Sequence, residues 1–351
     1  MTHHCFDNAE LVKNYPRGFR ELRQVFSRFS VKDTISWFEK NGVTLKTEAD
    51  GRMFPVSDSS ETVIACFQKL AKQHNIKIEL NCEVHAVKPN NGFVLNTSKG
   101  TFMADAVICA FGGHQKAGSY DLIRNLGHKI EEPVPSLFTL NLPNEDIRKL
   151  LQGVAVKNAS VSINQLKVSY SGPVLITHWG LSGPAVLKLS AFAAKDFYQL
   201  NYSSPVTINW AFPHNRHSVQ EMLLHIQKQK PRALPASFPQ FEIPRSLWEF
   251  LCKKADIDAS KPWAETAKKD IIKLSELITA SVYEAAGKTT FKEEFVTCGG
   301  VCLKEIDFKT MQSKLVPGLY FCGEALDIDG ITGGFNFQSA WSTAWLCAIS
   351  I

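Results

Sequence analysis

Apolar residues recur at helical spacing through the first forty positions. Phe19, Leu22, Val25, Phe26 and Phe29 share one face, and Ile35, Trp37 and Phe38 follow before Gly42. The spacing predicts two short amphipathic helices laid over a sheet. A third helix is predicted from about Ser59, where Ser57-Asp58-Ser59-Ser60 supplies the N-cap and Val63, Ile64, Phe67, Leu70 and Ala71 form the apolar stripe. The period then shortens. Ile76-Lys77-Ile78-Glu79-Leu80 alternates as a strand, and stretches near 83–88, 93–97 and 101–103 read as an antiparallel excursion. Ala104-Asp105-Ala106-Val107-Ile108-Cys109-Ala110 then returns as the nearly continuous apolar run of a buried parallel strand.

The middle of the chain is patterned differently. Alternation in Val161-Ser162-Ile163, Leu166-Lys167-Val168 and Val206-Thr207-Ile208-Asn209-Trp210 predicts a β-rich insertion over 136–215. A helix opening at Ser182-Gly183-Pro184 interrupts it, proline being tolerated at a first helical turn. Residues 216–289 read as a helical segment punctuated by Pro231, Pro235, Pro239 and Pro244. Apolar strand patterning resumes near 295, ends in Leu319-Tyr320-Phe321-Cys322, and gives way to a helix from about Phe335 to Ala348. The expected architecture is therefore α/β, with a discontinuous domain of residues 1–135 and 290–351 enclosing the two middle segments.

Composition narrows the class. With 351 residues, 44% of them hydrophobic, the chain buries a substantial core. The net charge of +5 is spread, Lys and Arg alternating with acids, so a nucleic-acid partner is not indicated. Nine cysteines, several inside predicted strands or apolar helices, fit buried thiols in a reducing cytoplasm, and no signal peptide is apparent. Cys298 and Cys302 lack a second pair or a nearby histidine at ligand spacing, so they read as core thiols and no metal is expected. No apolar run approaches the ~18 residues of a membrane span.

The chemistry concentrates at the C-terminus. Leu319-Tyr320-Phe321-Cys322-Gly323-Glu324 is a short apolar strand that stops at Gly-acid, which places the Glu324 carboxylate where it can hold a sugar-like hydroxyl. Downstream, Thr332-Gly333-Gly334-Phe335-Asn336 opens a helix with a glycine pair, which lets backbone N–H groups face a developing anion. Together these read as the flavin end of an FAD site.

Gly51-Arg52-Met53-Phe54-Pro55-Val56-Ser57, Cys109-Ala110-Phe111-Gly112-Gly113, Thr177-His178-Trp179-Gly180-Leu181-Ser182-Gly183-Pro184, Thr297-Cys298-Gly299-Gly300-Val301 and the C-terminal block occur in order over nearly the whole length. In these motifs the chain resembles the BaiN/RdsA-type (aminoacetone oxidase-like) FAD-dependent oxidoreductases. The resemblance implies a Rossmann-like three-layer FAD-binding domain. It implies that Ala110 and Gly112 pass under the cofactor, with Phe111 standing where the family usually carries Thr. It also implies that the Val84 backbone meets the adenine, and that Thr297, Gly299 and Gly300 approach the isoalloxazine by backbone. Arg52 and His178 are candidates for the substrate side, a cation to orient an anionic or carbonyl group and an imidazole to shuttle a proton. Each has a plain alternative, Arg52 as a tie between loops and His178 as a hydrogen-bonded structural residue.

The implied activity is oxidation of a small molecule by hydride transfer to flavin N5. An FAD-dependent RNA-modifying protein is a second expectation and a non-functional remnant a third. The last follows from the family's opening strand and G-x-G-x-x-G turn, which this sequence lacks; the chain is expected to be N-terminally truncated.

Overall fold

Two strands far apart in sequence lie side by side. Val107–Cys109 runs parallel to Leu319–Phe321, with Leu319 opposite Val107, Tyr320 opposite Ile108 and Phe321 opposite Cys109. Gln312–Ser313 and Ile306–Asp307 extend this sheet antiparallel beyond Leu319–Phe321, and Val107–Cys109 forms its other edge. The computed structural model describes residues 1–114, 117–290 and 296–351. By internal packing the chain divides into two units, Met1–Pro135 with Val296–Ile351, and Ser136–Phe295. The fold is α/β, with a β-rich second unit.

In the first unit the helix Phe335–Ala348 packs on the parallel pair. Its buried face recurs at helical spacing through Phe335, Gln338, Ser339, Ser342, Thr343 and Leu346. Much of that face is polar and fully paired. Gln338 accepts from the Thr2 hydroxyl at 2.5 Å and donates to Thr34 and Ser342 at 2.9 Å, while Ser342 donates to the Phe29 carbonyl at 2.8 Å. Burying these groups is tolerable because each finds a partner. The helices Phe19–Phe26 and Val31–Lys40 form as the apolar spacing predicts.

A second buried polar lock ties the 306–313 hairpin to the segment before residue 130. His128 Nδ1 lies 2.9 Å from Glu305 Oε2, and His128 Nε2 lies 2.8 Å from Ser313 Oγ. The order carboxylate, imidazole, hydroxyl is that of a hydrolytic triad. Here the Ser313 oxygen already accepts the Leu315 and Val316 N–H groups at 3.0 and 2.9 Å, and the residue is buried. The arrangement is a structural clip.

Two sequence expectations fail in this unit for one reason. Ile76–Leu80 forms no strand, and Ile76, Ile78 and Leu80 are 61%, 60% and 71% exposed. The helix Ser60–Gln73 is present, yet it buries only Cys66, leaving Ile64 and Phe67 exposed. A strand is held by ladder partners and an apolar stripe by an opposing surface. At Ile76–Leu80 the described residues supply no ladder partner, whereas the helix stripe is only partly covered, Val63 and Leu70 packing on Phe38, Val43 and Cys66 and Phe67 on Trp37 and Trp341. The antiparallel excursion does form, as Val84–Pro89, Phe93–Thr97 and Gly100–Ala104.

The second unit is built on a seven-stranded antiparallel sheet in the order Ser281–Ala286, Ser203–Asn209, Ala155–Ile163, Val168–Ile176, Gly180–Ser182, Thr139–Asn141, Lys288–Thr289. Leu166-Lys167-Val168 is not a strand as a whole. Lys167 takes φ +53 in the turn that joins two long strands, and the strand starts at Val168. The helices Pro184–Phe192, Arg216–Gln229, Arg245–Lys254 and Lys268–Thr279 share one core with the sheet, centred on Trp210, Trp248 and Trp263. The division expected at 215/216 is therefore corrected. Residues 216–289 are not a separate helical segment, because their helices cover the sheet and 281–286 returns to it as an edge strand. Among the described residues no helix is long and apolar enough to cross a membrane, and no cluster of His, Cys, Asp or Glu is placed to hold a metal.

Arg17 and Asp329 form a buried bidentate ion pair. Removing Asp329 takes away the principal opposite charge of the buried Arg17, so Asp329→Ala is expected to cost roughly 3–5 kcal/mol, while Arg17→Met with Asp329→Leu costs far less. Urea unfolding of both variants tests this, and equal losses would contradict it. The exposed strip at 76–80 is expected to bind a hydrophobic dye; Ile78→Lys with Leu80→Lys should lower dye fluorescence without lowering the unfolding midpoint.

Candidate functional site

Because the two parallel strands end together, the residues after each are presented together: Ala110 to Gly113 after one, Gly323 and Glu324 after the other. The crevice outside the carboxyl ends of parallel strands is where α/β sheets hold ligands. The Gly113 N–H donates to the Glu324 carboxylate. Thr297 lies against both: a Cβ added to Gly113 would stand 2.6 Å from Thr297 Oγ1 and 3.4 Å from Glu324 Oε2, so only glycine fits there. The Thr297 hydroxyl is buried and has no hydrogen-bond partner among the described residues. Leaving such a group unmet costs about 1–3 kcal/mol, which a ligand hydroxyl or carbonyl would relieve. Tyr120 borders the cluster, its phenol oxygen accepting the His114 N–H at 3.4 Å and its ring edge-on to Phe111 at 5.5 Å.

Burial lifts the Glu324 carboxyl above its ordinary value; the Gly113 hydrogen bond opposes the rise, and the charge of Asp329 adds to it. The buried Cys109 thiol is pushed up to about 12, chiefly by burial, and so is a poor nucleophile.

The start of the C-terminal helix is organised by the chain's own N-terminus. Gly334 holds φ +93, and a Cβ there would stand 2.4 Å from the Thr2 carbonyl oxygen. The His3 ring stacks on Phe335 at 4.7 Å, and the Tyr15 hydroxyl donates to the Phe335 carbonyl at 2.6 Å. Asn336 closes the preceding loop by donating to the Gly330 carbonyl at 2.9 Å and accepting the Gly330 N–H at 2.7 Å. Gly323 meets the same helix at Ala340 and donates to the Thr343 hydroxyl at 3.0 Å. At ~1.5 Å per residue, Ala340 is about 8 Å along the axis from Phe335.

The structure thus brings Ala110, Gly112, Gly323 and Glu324 together with Thr297. It links Arg52 to the helix start, since Arg52 sits opposite His3 in the next strand. Arg52 is half exposed, paired with Asp50 at 2.7 Å and poised over the Phe54 ring. Gly333 touches the His3 and Phe335 rings, and Thr332 is exposed. At Gly299 and Gly300 the missing side chains admit neighbouring backbone, the Glu132 carbonyl 2.4 Å and the Ala325 carbonyl 2.7 Å from a built Cβ. Val84 is half-buried in the antiparallel excursion opposite Thr97. His178 lies in the second unit, exposed, with its ring 4.5 Å from Trp179 and its carbonyl accepting from Arg148 at 3.1 Å.

Sequence reasoning missed the Thr297 side chain, having credited that position with backbone contact alone, and it missed Arg17, Thr2 and His3. For Arg17 a signal exists in Asp329, an acid within an apolar block that needs a cation, but nothing local points to a residue so far upstream.

A parallel strand pair with a glycine-and-carboxylate exit, covered by a glycine-capped helix, is a Rossmann-like α/β arrangement, in which ligands are held outside the carboxyl ends of the strands. The chain belongs to the HI0933-like Rossmann-domain family, whose description matches residues 1–350. It is similar to the ribosomal RNA dihydrouridine synthase of Escherichia coli K12, 28% identical over 339 residues, covering 93% of this chain and 80% of that protein. The synthase of the same name from Haemophilus influenzae is 28% identical over 342 residues, covering 94% and 82%. The 3-dehydro-bile acid delta(4,6)-reductase of Clostridium scindens is 29% identical over 337 residues, covering 92% and 81%.

A carboxyl whose folded pKa is raised favours folding while protonated, and that contribution is lost as pH climbs through the unfolded value toward the folded one. The urea midpoint of the parent is therefore expected to fall more steeply than that of Glu324→Gln from about pH 4.5 upward. Parallel profiles would show that Glu324 is not desolvated in the folded protein.

Proposed function

We propose that this protein is an FAD-dependent oxidoreductase. The observation that supports the reading best is the buried Thr297 hydroxyl, unmet beside a glycine-held Glu324 at the carboxyl ends of two parallel strands, in a chain of the HI0933-like family. These residues fit a cofactor rich in hydroxyls. Glu324 would accept from a ribityl or ribose hydroxyl, the Thr297 hydroxyl would pair with a polar atom of the cofactor, and Gly113 leaves the room. The start of the C-terminal helix, about 8 Å further along, suits the end of the cofactor where negative charge develops on reduction. When bound, FAD would supply the hydride chemistry. Arg52 beside the helix start would orient an anionic or carbonyl group, and His178 is carried as a proton donor or acceptor on the second unit.

The relatives' names describe a dihydrouridine product and a delta(4,6)-reductase. Both denote reduction of a ring carbon–carbon double bond, and this is the reaction class we assign. It runs opposite to the substrate oxidation expected from the sequence, because hydride would pass from reduced FAD to one carbon and a proton to the other, with a hydride donor such as a reduced nicotinamide nucleotide re-reducing the flavin. A small unsaturated ring compound is the first substrate reading. A uridine within RNA is the second, favoured by the name that two of the relatives carry.

The test is flavin retention by absorbance and equilibrium dialysis after reconstitution with FAD. Loss of a charge-assisted hydrogen bond worth about 1.5–3 kcal/mol predicts roughly ten- to a hundredfold weaker binding for Glu324→Ala. Arg52→Ala and His178→Ala should retain flavin and lower turnover. Equal flavin affinity in Glu324→Ala and the parent would sink the assignment.

A further inference from the structure

Tyr120 carries a hydroxyl that the fold does not use. The residue is fully buried, and its ring is accounted for by edge-on contacts with Phe111 at 5.5 Å and His114 at 6.2 Å. A phenylalanine would make the same contacts. The phenol oxygen accepts the His114 N–H at 3.4 Å, and its own O–H has no acceptor among the described residues. We infer that this O–H binds the cofactor: Tyr120 donates to a hydroxyl of its ribityl or ribose part, and Glu324 accepts from the same hydroxyl or from its neighbour. The inference rests on the FAD reading above.

The backbone puts the two groups side by side. Consecutive residues of one strand exit hold them, the Gly113 N–H donating to the Glu324 carboxylate and the His114 N–H to the Tyr120 oxygen. Thr297, whose buried hydroxyl is also unmet, lies against Gly113. Two unspent hydroxyl donors and a carboxylate therefore meet at one loop, at the carboxyl ends of the parallel strands where α/β sheets hold ligands.

Charge selects the group that fits. Burial lifts the Tyr120 phenol above its ordinary pKa, the His114 N–H opposes the rise, and the charges of Glu324 and Asp327 add to it, so the phenol keeps its proton and remains a donor. A phosphate or carboxylate at this point would face those same two acids and be repelled. A hydroxyl is neutral, and with one donor and two acceptor sites it can take the Tyr120 hydrogen bond while giving its own to Glu324. Packing alone gives no reason for a buried phenol with an unmet O–H, since leaving such a donor unpaired is costly.

The test uses the full chain, Tyr120→Phe, Glu324→Gln and the double variant, with FAD, FMN and ADP-ribose as probes in equilibrium dialysis. FMN carries the ribityl hydroxyls without the ribose, and ADP-ribose carries ribose hydroxyls without the ribityl chain. Tyr120→Phe is expected to bind FAD roughly two- to tenfold more weakly, the effect of one neutral hydrogen bond. The same loss with FMN assigns the hydroxyl to the ribityl chain, and with ADP-ribose to the ribose. In the double variant the loss should fall short of the product of the two single losses, because both residues hold one hydroxyl or adjacent ones. Without ligand, Tyr120→Phe should melt no lower than the parent, since it deletes an unmet donor. A lower melting temperature would show the hydroxyl to be satisfied inside the protein and would overturn the proposal. Unchanged FAD affinity in Tyr120→Phe also overturns it, and leaves the cofactor reading standing where Glu324→Gln is weakened. A parent chain that binds no FAD removes the cofactor reading itself, and this proposal with it.

Discussion

The first unit depends on one pairing, the parallel register of Val107–Cys109 with Leu319–Phe321. It joins the part of the chain before the second unit to the part after it, and it decides what meets at the strand ends. Shifting that register by one residue would put Ile108 and Tyr320 on opposite faces of the sheet and carry Glu324 away from Gly113. The pairing is held by the helix Phe335–Ala348, whose buried hydroxyls and amide leave few alternative seatings, since a slipped helix would orphan Gln338.

Two kinds of buried polar group coexist here. The Arg17–Asp329 pair, the His128–Glu305–Ser313 clip and the Gln338 network are satisfied from within the protein, and they fix loops and helix. Thr297 differs, because its buried hydroxyl has no hydrogen-bond partner among the described residues and sits at the strand ends beside Gly113 and Glu324, where a ligand could meet it.

The two units also distribute exposed apolar surface differently. In the second, four helices and a broad sheet close over tryptophans, and exposed apolar side chains such as Trp179, Phe212 and Phe238 are scattered over its surface. In the first, exposure is extended along Ile64, Phe67, Ile76, Ile78 and Leu80. These side chains follow the rule for a half-buried helix and an alternating strand, yet the pattern states only a capacity for burial, and the opposing surface has to come from elsewhere in space.

Local pattern determined a good deal by itself. The helix beginning at Phe335 was legible in its glycine pair and apolar run, the antiparallel excursion in its alternation, and the Gly323-Glu324 exit in a strand that stops at an acid, because each depends on neighbours a few residues away. The tertiary structure alone decided the rest. Ile76–Leu80 has strand periodicity and no ladder partner among the described residues. Residues 216–289 look helical in isolation but complete the sheet they cover. Lys273 and Arg216 are far apart in the sequence, and helix packing gathers them beside Phe212. Thr297 became distinctive only when Gly113 and Glu324 arrived beside it from opposite ends of the chain. Periodicity encodes which face of an element is apolar, but the partner that meets that face is chosen by contacts between residues hundreds of positions apart, and no local spacing records them.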